Sequence, residues 1–189
     1  MLAVTLATTG LIFLDSHDAP YFRRISNFGG FNRVVSGQNA ALGMLAMPLG
    51  FYVAGLVRHD NDMAGTALLA GEAAVDSQIV GIAIKAMTWR LRPSDIPPTG
   101  DFGHTWYKSG GFLGRGSSFP SGHTLAAFSI ATVFAERYRR HRWVPFVAYR
   151  LASLVAFSRI TLQAHFASDV FAGAVLGWSL SHFVVLRDR

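Results

Sequence analysis

Three short blocks between residues 85 and 169 carry the residue types that phosphoryl transfer requires. They read Lys85-x6-Arg92-Pro93, Pro120-Ser121-Gly122-His123 and Ser158-Arg159-x5-His165-x3-Asp169. Cations and a helix N-terminus can hold the oxygens of a phosphoryl group. One histidine can attack phosphorus, and a second can protonate the leaving group. The blocks therefore predict phosphoryl transfer to a histidine.

His165 is the predicted nucleophile, because Asp169 lies four residues further along the chain, one helical turn away. A carboxylate at that spacing can reach the imidazole, fix its tautomer and stabilise the positive charge that develops during attack. We expect His123 to protonate the leaving group and then to deprotonate the hydrolytic water. At both positions a structural histidine is the alternative.

Five residues are expected to bind the phosphoryl oxygens. Lys85, Arg92 and Arg159 would neutralise the charge on these oxygens, since arginine offers a planar, bidentate donor and lysine a compact charge. Ser121 and the backbone N–H of Gly122 open a predicted helix, and a helix N-terminus attracts anions.

Other charged residues are expected to be structural. Arg90 follows Trp89, an aromatic residue of the kind found at membrane interfaces, so we expect Arg90 to extend towards the interface. Glu72 or Asp76 is expected to form a buried ion pair with Arg150, because all three lie inside apolar segments at similar depth.

The sequence predicts neither a metal ion nor a cofactor. It contains no HExxH motif or paired-carboxylate spacing, and its histidines and acids are already assigned. Since the chain has no cysteine, thiolate catalysis, cysteine metal sites and disulfides are excluded.

The composition indicates one membrane-embedded domain over residues 1–189. Hydrophobic residues make up 51% of the chain and charged residues 15%, whereas an ordinary soluble domain carries about 25% charged residues. The net charge of +6 comes from bases at loop ends and in the three blocks. Anionic lipid head groups and a phosphorylated substrate explain that distribution, and nucleic-acid binding is not expected.

An all-α bundle of five to six helices is predicted, since no segment alternates as a strand does. The five clear segments are 38–57, 64–88, 121–136, 143–160 and 169–186. Residues 1–14 are a sixth apolar run, interpreted as a short or truncated first membrane helix. The stretch 94–119 is rich in Gly, Pro and Ser, and we expect it to be an active-site loop.

The three blocks are expected to meet at one membrane face. Consecutive helices of an up-and-down bundle run in opposite directions. The same membrane face is therefore shared by three parts of the chain: the end of 64–88, the start of 121–136 and the connection 160–169. The opposite face carries Arg58 and the dense run of arginines from Arg137 to Arg142. The positive-inside rule places that face in the cytoplasm, and the site on the extracytoplasmic side of the plasma or inner membrane.

The three blocks together resemble the type 2 phosphatidic acid phosphatase superfamily, which also includes soluble acid phosphatases and vanadium haloperoxidases. All three are complete and in order, and the flanking apolar segments extend the resemblance to about residues 40–186. The resemblance to the membrane branch implies a phosphohistidine intermediate on His165 and metal-independent hydrolysis.

The expected function is therefore hydrolysis of a lipid phosphate or prenyl diphosphate, with membrane lipids as neighbours. Three alternatives remain: a phosphatase of small soluble phosphomonoesters, a vanadate-dependent haloperoxidase and a non-catalytic membrane scaffold. Neither the lipid nor the oligomeric state follows from the sequence.

Overall fold

The computed structural model describes residues 2–25, 27–108 and 116–187, and this part of the chain is helical without strands. Its α-helices are α1 (Leu2–Arg24), α2 (Gly29–Val34), α3 (Gly37–Arg58), α4 (Asn61–Thr88), α5 (Gly122–Arg137), α6 (Trp143–Thr161) and α7 (Ala167–Leu180). Residues 109–115 of the predicted active-site loop lie outside the described residues. The all-α prediction is confirmed.

The ends of α3 and α4 follow from local sequence signals. Ser36 accepts a hydrogen bond from the backbone N–H of Asn39 at 3.1 Å, and Asp60 accepts one from Met63 at 2.9 Å. Such side-chain caps satisfy N–H groups that have no partner within the helix. At the other ends, His59 and Trp89 adopt left-handed conformations with φ of 55° and 39°, which terminates each helix.

Two helix predictions differ in length from the structure. The first helix continues past residue 14 to Arg24, because Asp15 is buried against other parts of the chain and does not mark a solvent-exposed end. The last predicted helix, 169–186, is divided: α7 ends at Leu180 and a single π-helical turn, Ser181–Val185, follows it.

Helix α5 lies at the centre of the bundle, with α4, α6 and α7 packed around it. Eleven of its 16 residues are buried. Close approach to α7 depends on two glycines, since a Cβ at Gly173 would lie 2.7 Å from the Ser121 carbonyl oxygen and one at Gly177 2.3 Å from that of Leu125. Small residues at this spacing are a common way to bring membrane helices together.

The protein is an integral membrane protein. Three helical segments are long and apolar enough to cross a membrane: Gly37–Arg58, Asn61–Asp95 and Ala167–Val185. Large apolar side chains project outward from α3 and α4, including Leu45, Val53 and Ile79, which are more than half exposed. Such surfaces suit contact with lipid chains.

The predicted buried pair between Arg150 and Glu72 or Asp76 is wrong. The guanidinium of Arg150 is exposed and stacks on the ring of Phe146 at 3.9 Å from its centroid. Glu72 is exposed on α4, and α5 lies between α4 and α6. Equal depth along two helices does not bring side chains together when each faces a different direction around the helix axis.

Candidate active site

The three sequence blocks lie together at one end of the bundle. Ser121, before α5, donates its backbone N–H to the carbonyl oxygen of Asp169 in α7 at 3.0 Å. Lys85, near the end of α4, donates from Nζ to the carbonyl oxygen of Ser117 at 2.6 Å. These contacts join the end of α4 and the starts of α5 and α7, as the alternating directions of the helices require.

His165 lies in the connection between α6 and α7 and is 4% exposed. Its Nδ1 donates to the carbonyl oxygen of Ser118 at 2.7 Å. The distance from Nδ1 to Asp169 Oδ2 is 3.8 Å, which is too long for a hydrogen bond. The expected direct imidazole–carboxylate hydrogen bond is therefore replaced by a bond to the Ser118 backbone, with the carboxylate at ion-pair distance.

The charge of His165 depends first on its burial. Burial lowers the pKa of His165 to about 4; Asp169 opposes this shift, and the positive charges of Lys85 and Arg92 add to it. The imidazole is therefore neutral at neutral pH. Because the Nδ1 proton is committed to Ser118, the lone pair lies on Nε2.

Three cations surround the two histidines closely enough to interact with them electrostatically. Lys85 and Arg92 influence both His165 and His123, and Arg159 influences His123. Lys85 and Arg92 are half-buried, whereas Arg159 is buried. This arrangement concentrates positive charge where an anionic group would be bound.

Arg159 is held by the backbone that precedes α3. Its NH2 donates to the carbonyl oxygen of Val35 at 2.8 Å and to Ser158 Oγ at 2.6 Å. A Cβ at Gly37 would lie 3.1 Å from NH1 of Arg159. Ser158 therefore orients the arginine, and the glycine leaves room for the guanidinium.

His123 occupies the first turn of α5 and is half-buried. Its Nε2 lies 3.0 Å from the carbonyl oxygen of Gly37. A carbonyl can only accept, so Nε2 carries a proton and donates it. The remaining ring nitrogen, Nδ1, is left for proton transfer.

Ser121 and Gly122 begin α5, as the sequence predicts, but the Ser121 hydroxyl is turned inward. It is fully buried and accepts from Thr124 Oγ1 at 2.9 Å. The carbonyl oxygen of Gly122 accepts from Gln78 Nε2 at 3.0 Å. The structure therefore anchors the α5 N-terminus through Ser121 and Gln78, and only the backbone N–H groups remain suited to an anion.

The expectation that Arg90 extends to the membrane interface is wrong. Arg90 is 1% exposed, because the left-handed Trp89 ends α4 and turns the following residue inward. Its NH1 donates to Asp169 Oδ1 at 2.6 Å and its NH2 to Asp15 Oδ2 at 2.7 Å. Its guanidinium also lies between the rings of Trp106 and Phe166, 4.5 Å and 4.1 Å from their centroids.

Sequence reasoning missed further residues of this buried cluster besides Arg90, among them Asp15 and Ser118. Asp15 accepts from the Ser168 backbone N–H at 3.2 Å and from the Ser168 hydroxyl. Ser118 donates from Oγ to Asp169 Oδ2 at 2.5 Å. An acid at the end of the apolar run 1–14 was the available signal for Asp15, since an ionisable group in or beside an apolar segment often faces the protein interior.

The described part of the 94–119 loop packs down beside the site. Ile96 and Phe102 are buried against Ala19 of α1 and Phe166, and Thr105 Oγ1 accepts from Arg90 Nε at 3.1 Å. This portion supports the charged cluster, and its predicted role as an active-site loop stays a prediction. Among the described residues, no group of three or more His, Asp or Glu side chains is arranged to hold a metal ion.

Comparison with known proteins identifies the family. The PAP2 superfamily model matches residues 64–188, which include all three blocks. The chain belongs to the PAP2 superfamily. This confirms the resemblance drawn from the motifs.

The curated relatives match over part of their length. A lipid A 4'-phosphatase from Porphyromonas gingivalis is 35% identical over 50% of this chain and 39% of its own. A lipid A 1-phosphatase from the same species is 45% identical over 32% of this chain and 14% of its own. The aligned regions therefore span well under half of these relatives.

One solved structure shares the fold along nearly the whole chain. It is a transmembrane PAP2 type phosphatidylglycerolphosphate phosphatase from Bacillus subtilis, similar at a TM-score of 0.59 over 97% of this chain and 92% of its own. The identity is 19%, so this similarity establishes the membrane fold alone.

Proposed function

We propose that this protein is a membrane phosphatase that hydrolyses a phosphorylated lipid through a phosphohistidine intermediate on His165. One observation carries the proposal. His165 is buried beside the cations, and the Ser118 carbonyl oxygen holds its Nδ1 at 2.7 Å, which leaves Nε2 as the nucleophile.

In the first step, His165 Nε2 attacks phosphorus and the bond from phosphorus to the leaving oxygen breaks. That oxygen takes a proton from Nδ1 of His123, which enters this step with protons on both ring nitrogens and keeps its Nε2–H bonded to the Gly37 carbonyl oxygen. In the second step, His123 takes a proton from water as the water attacks the phosphohistidine. Free phosphate leaves and His165 is regenerated.

The cations stabilise the charge that develops on the phosphoryl oxygens. Lys85, Arg92 and the preoriented Arg159 supply donors near the two histidines, and the first N–H groups of α5 supply others. Lys85 and Arg159 are oriented before substrate binds, since both already bond to backbone carbonyl oxygens. Preorganised donors of this kind need little rearrangement during the reaction.

A lipid substrate is favoured by where the site lies. The cluster of histidines and cations is at the end of a bundle whose outer surface is apolar, so an amphiphile can place its head group at the site while its chains stay in the membrane. The relatives named as lipid A phosphatases support a phosphorylated lipid. Lipid A, phosphatidylglycerophosphate and a prenyl diphosphate all carry the required group.

A phosphate-release panel tests the substrate class. Lipid A, phosphatidate, phosphatidylglycerophosphate and undecaprenyl diphosphate would be compared in detergent micelles with soluble phosphomonoesters. We expect at least one lipid to be hydrolysed far faster than every soluble ester. Faster release from soluble esters would assign the same chemistry to small substrates, and no release from any compound would favour a scaffold.

The metal-independent mechanism has its own test. Phosphate release should persist in excess EDTA, because the cations of the protein itself bind the phosphoryl group. Orthovanadate should inhibit, because it can adopt the five-coordinate geometry of the transferring group. Loss of activity in EDTA with recovery in magnesium would contradict the mechanism.

We also propose that the site faces the extracytoplasmic side. The basic residues Arg137, Arg139 and Arg140 lie at the opposite end, where the positive-inside rule favours the cytoplasm. The chain contains no cysteine, so single cysteines can report the orientation. In intact cells, Tyr107→Cys should react with a membrane-impermeant maleimide and Arg140→Cys should not; the reverse pattern would invert the topology.

A further inference from the structure

Arg90 occupies an unspecified position within the Lys85-x6-Arg92-Pro93 block, yet it is buried against Asp169 and Ser118, the two residues next to the proposed nucleophile. Every nitrogen of its guanidinium is bonded. NH1 donates to Asp169 Oδ1 and Ser168 Oγ, NH2 to Asp15 Oδ2, and Nε to Thr105 Oγ1 at 3.1 Å. Four of the five N–H donors of the guanidinium are bonded in this way, and the group is 1% exposed beside the rings of Trp106 and Phe166. This arginine is therefore not placed to bind a phosphoryl oxygen.

The backbone of Arg90 reaches the same histidine by a second route. Its carbonyl oxygen accepts from the Ser118 N–H at 2.8 Å, and its own N–H donates to Ser117 Oγ at 2.9 Å. Ser118 in turn supplies the carbonyl oxygen that holds His165 Nδ1. The side-chain and backbone contacts of one residue therefore converge on the group that fixes the imidazole.

These contacts form a closed ring. Arg90 binds Asp169 through Oδ1, Asp169 accepts from the Ser118 hydroxyl through Oδ2, and the Ser118 backbone returns to Arg90. The Phe166 N–H also donates to Asp169 Oδ2 at 2.9 Å, which fixes the residue next to His165. Displacing the arginine would free both the carboxylate and the segment that carries the Ser118 carbonyl.

We propose that Arg90 is a positioning residue for phosphoryl transfer: it orients His165 through Asp169 and Ser118 without touching the substrate. Asp15 of α1 and Ser168 of α7 hold the guanidinium in place. This inference rests on the proposed nucleophilic role of His165.

The inference predicts a selective loss of turnover. A misplacement of about 1 Å at a reacting group can cost about 10²-fold in rate, so Arg90→Met should lower kcat by about that factor. KM should stay within about twofold, because the phosphate-binding cations are unchanged. Arg90→Lys keeps the charge but cannot span both carboxylates, and its kcat should fall between those of Arg90→Met and the wild type.

A matched control is available in the same region. Arg23 of α1 donates from NH1 to the carbonyl oxygen of Ile96 at 2.6 Å, so it also ties α1 to the loop but does not contact Asp169. Arg23→Met should therefore retain wild-type kcat. If Arg23→Met lowered kcat as much as Arg90→Met, the effect would come from anchoring α1 and the inference would be overturned.

The decisive experiment is a double-mutant cycle between Arg90→Met and Asp169→Asn, measured with the fastest lipid of the panel and normalised to folded protein. If Arg90 acts through Asp169, the double variant should be little slower than the Asp169→Asn variant alone. Any of three results would overturn the inference. The double variant could lose kcat by the product of the two single losses, both Arg90 variants could keep the wild-type kcat, or KM could rise while kcat stays constant. Should Arg90→Met fail to fold, Arg90→Lys replaces it in the cycle.

His165→Ala in the same assay separates this inference from the proposed function. An active His165→Ala protein would reject the nucleophile itself. An inactive His165→Ala protein beside a fully active Arg90→Lys and Arg90→Met pair would reject only the positioning role.

Discussion

Arginine–aspartate pairs occur at both ends of the bundle, but their surroundings differ. At the site end, Arg90 lies between Asp15 and Asp169 at 2.7 Å and 2.6 Å, and all three side chains are nearly inaccessible. At the other end, Arg137 NH2 lies 3.6 Å from Asp62 Oδ1, and the Asp62 side chain is 97% exposed. The same residue types are thus fully paired in one region and hydrated in the other.

The difference indicates at which end of the bundle ion pairs contribute to stability. Exposed ion pairs contribute about 0–1 kcal/mol because water screens them. Breaking a buried pair costs about 3–5 kcal/mol because it strands a charge in an apolar environment. We therefore expect substitutions at the site end to affect both stability and chemistry, and substitutions at the Arg137 end to affect neither strongly.

The largest expected effect is loss of the nucleophile. His165→Ala should reduce phosphate release by at least about 10³-fold. Asp169→Asn should leave a remnant, because the imidazole and its Ser118 contact remain. Phosphate release by proteins purified at equal yield measures both effects. Wild-type turnover by the His165→Ala protein would contradict the assignment of His165 as the nucleophile.

Asp15 and Asp62 provide the most direct test of the difference between the two ends of the bundle. Asp15→Asn should lower the free energy of unfolding by about 3 kcal/mol, because Arg90 loses one buried carboxylate. Asp62→Asn, the matched control, should change it by less than about 0.5 kcal/mol. The variants would be compared by thermal unfolding in detergent. An equal loss of unfolding free energy in both would contradict the distinction between the two ends.

Packing between α5 and α7 offers a test that does not involve charge. A Cβ at Gly177 would lie 2.3 Å from the Leu125 carbonyl oxygen, whereas one at Gly71 meets no atom within 4 Å. Gly177→Ala should destabilise the protein by about 1–3 kcal/mol through overpacking. Gly71→Ala should be neutral or slightly stabilising, since alanine favours a helix interior. A neutral Gly177→Ala would show that the two helices can separate freely.

The last prediction concerns the response of stability to acid. Burial lowers the pKa of His165 to about 4 from its ordinary value of 6.5. Between pH 4 and pH 6.5, His165 is therefore protonated in the unfolded chain and neutral in the folded protein. Stability should therefore be complete above pH 6.5 and decline as pH falls towards 4. The unfolding free energy of the wild type relative to His165→Asn should shrink over that window; a constant difference would refute the lowered pKa.

Local patterns were sufficient for most of the fold and for the meeting of the three blocks. Apolar runs with caps at Ser36 and Asp60 define α3 and α4, and the alternation of helix direction places the motif residues at one end. The motifs also name His165, His123 and the cations directly. Their catalytic roles stay predictions.

What the sequence could not reveal depends on contacts between distant residues. Arg90 beside Trp89 has the local pattern of an interface residue, and only the turn at Trp89 directs it inward. Asp15 reads as the end of an apolar run, because the arginine that neutralises it lies far along the chain. The predicted partner of Arg150 is wrong because the rotation of a helix about its own axis is weakly specified when apolar residues surround it.

The cluster of Asp15, Arg90 and Ser168 has a consequence for biosynthesis. Asp15 and Arg90 are 75 positions apart, and Asp15 and Ser168 are 153 apart. During translation, α1 therefore emerges with an aspartate whose partners have not yet been made, and the pocket can close only after α7 follows. A nascent chain that stops before α7 would hold Lys85, Arg92 and His123 but not Asp169, so the buried centre can assemble only once α7 has been made.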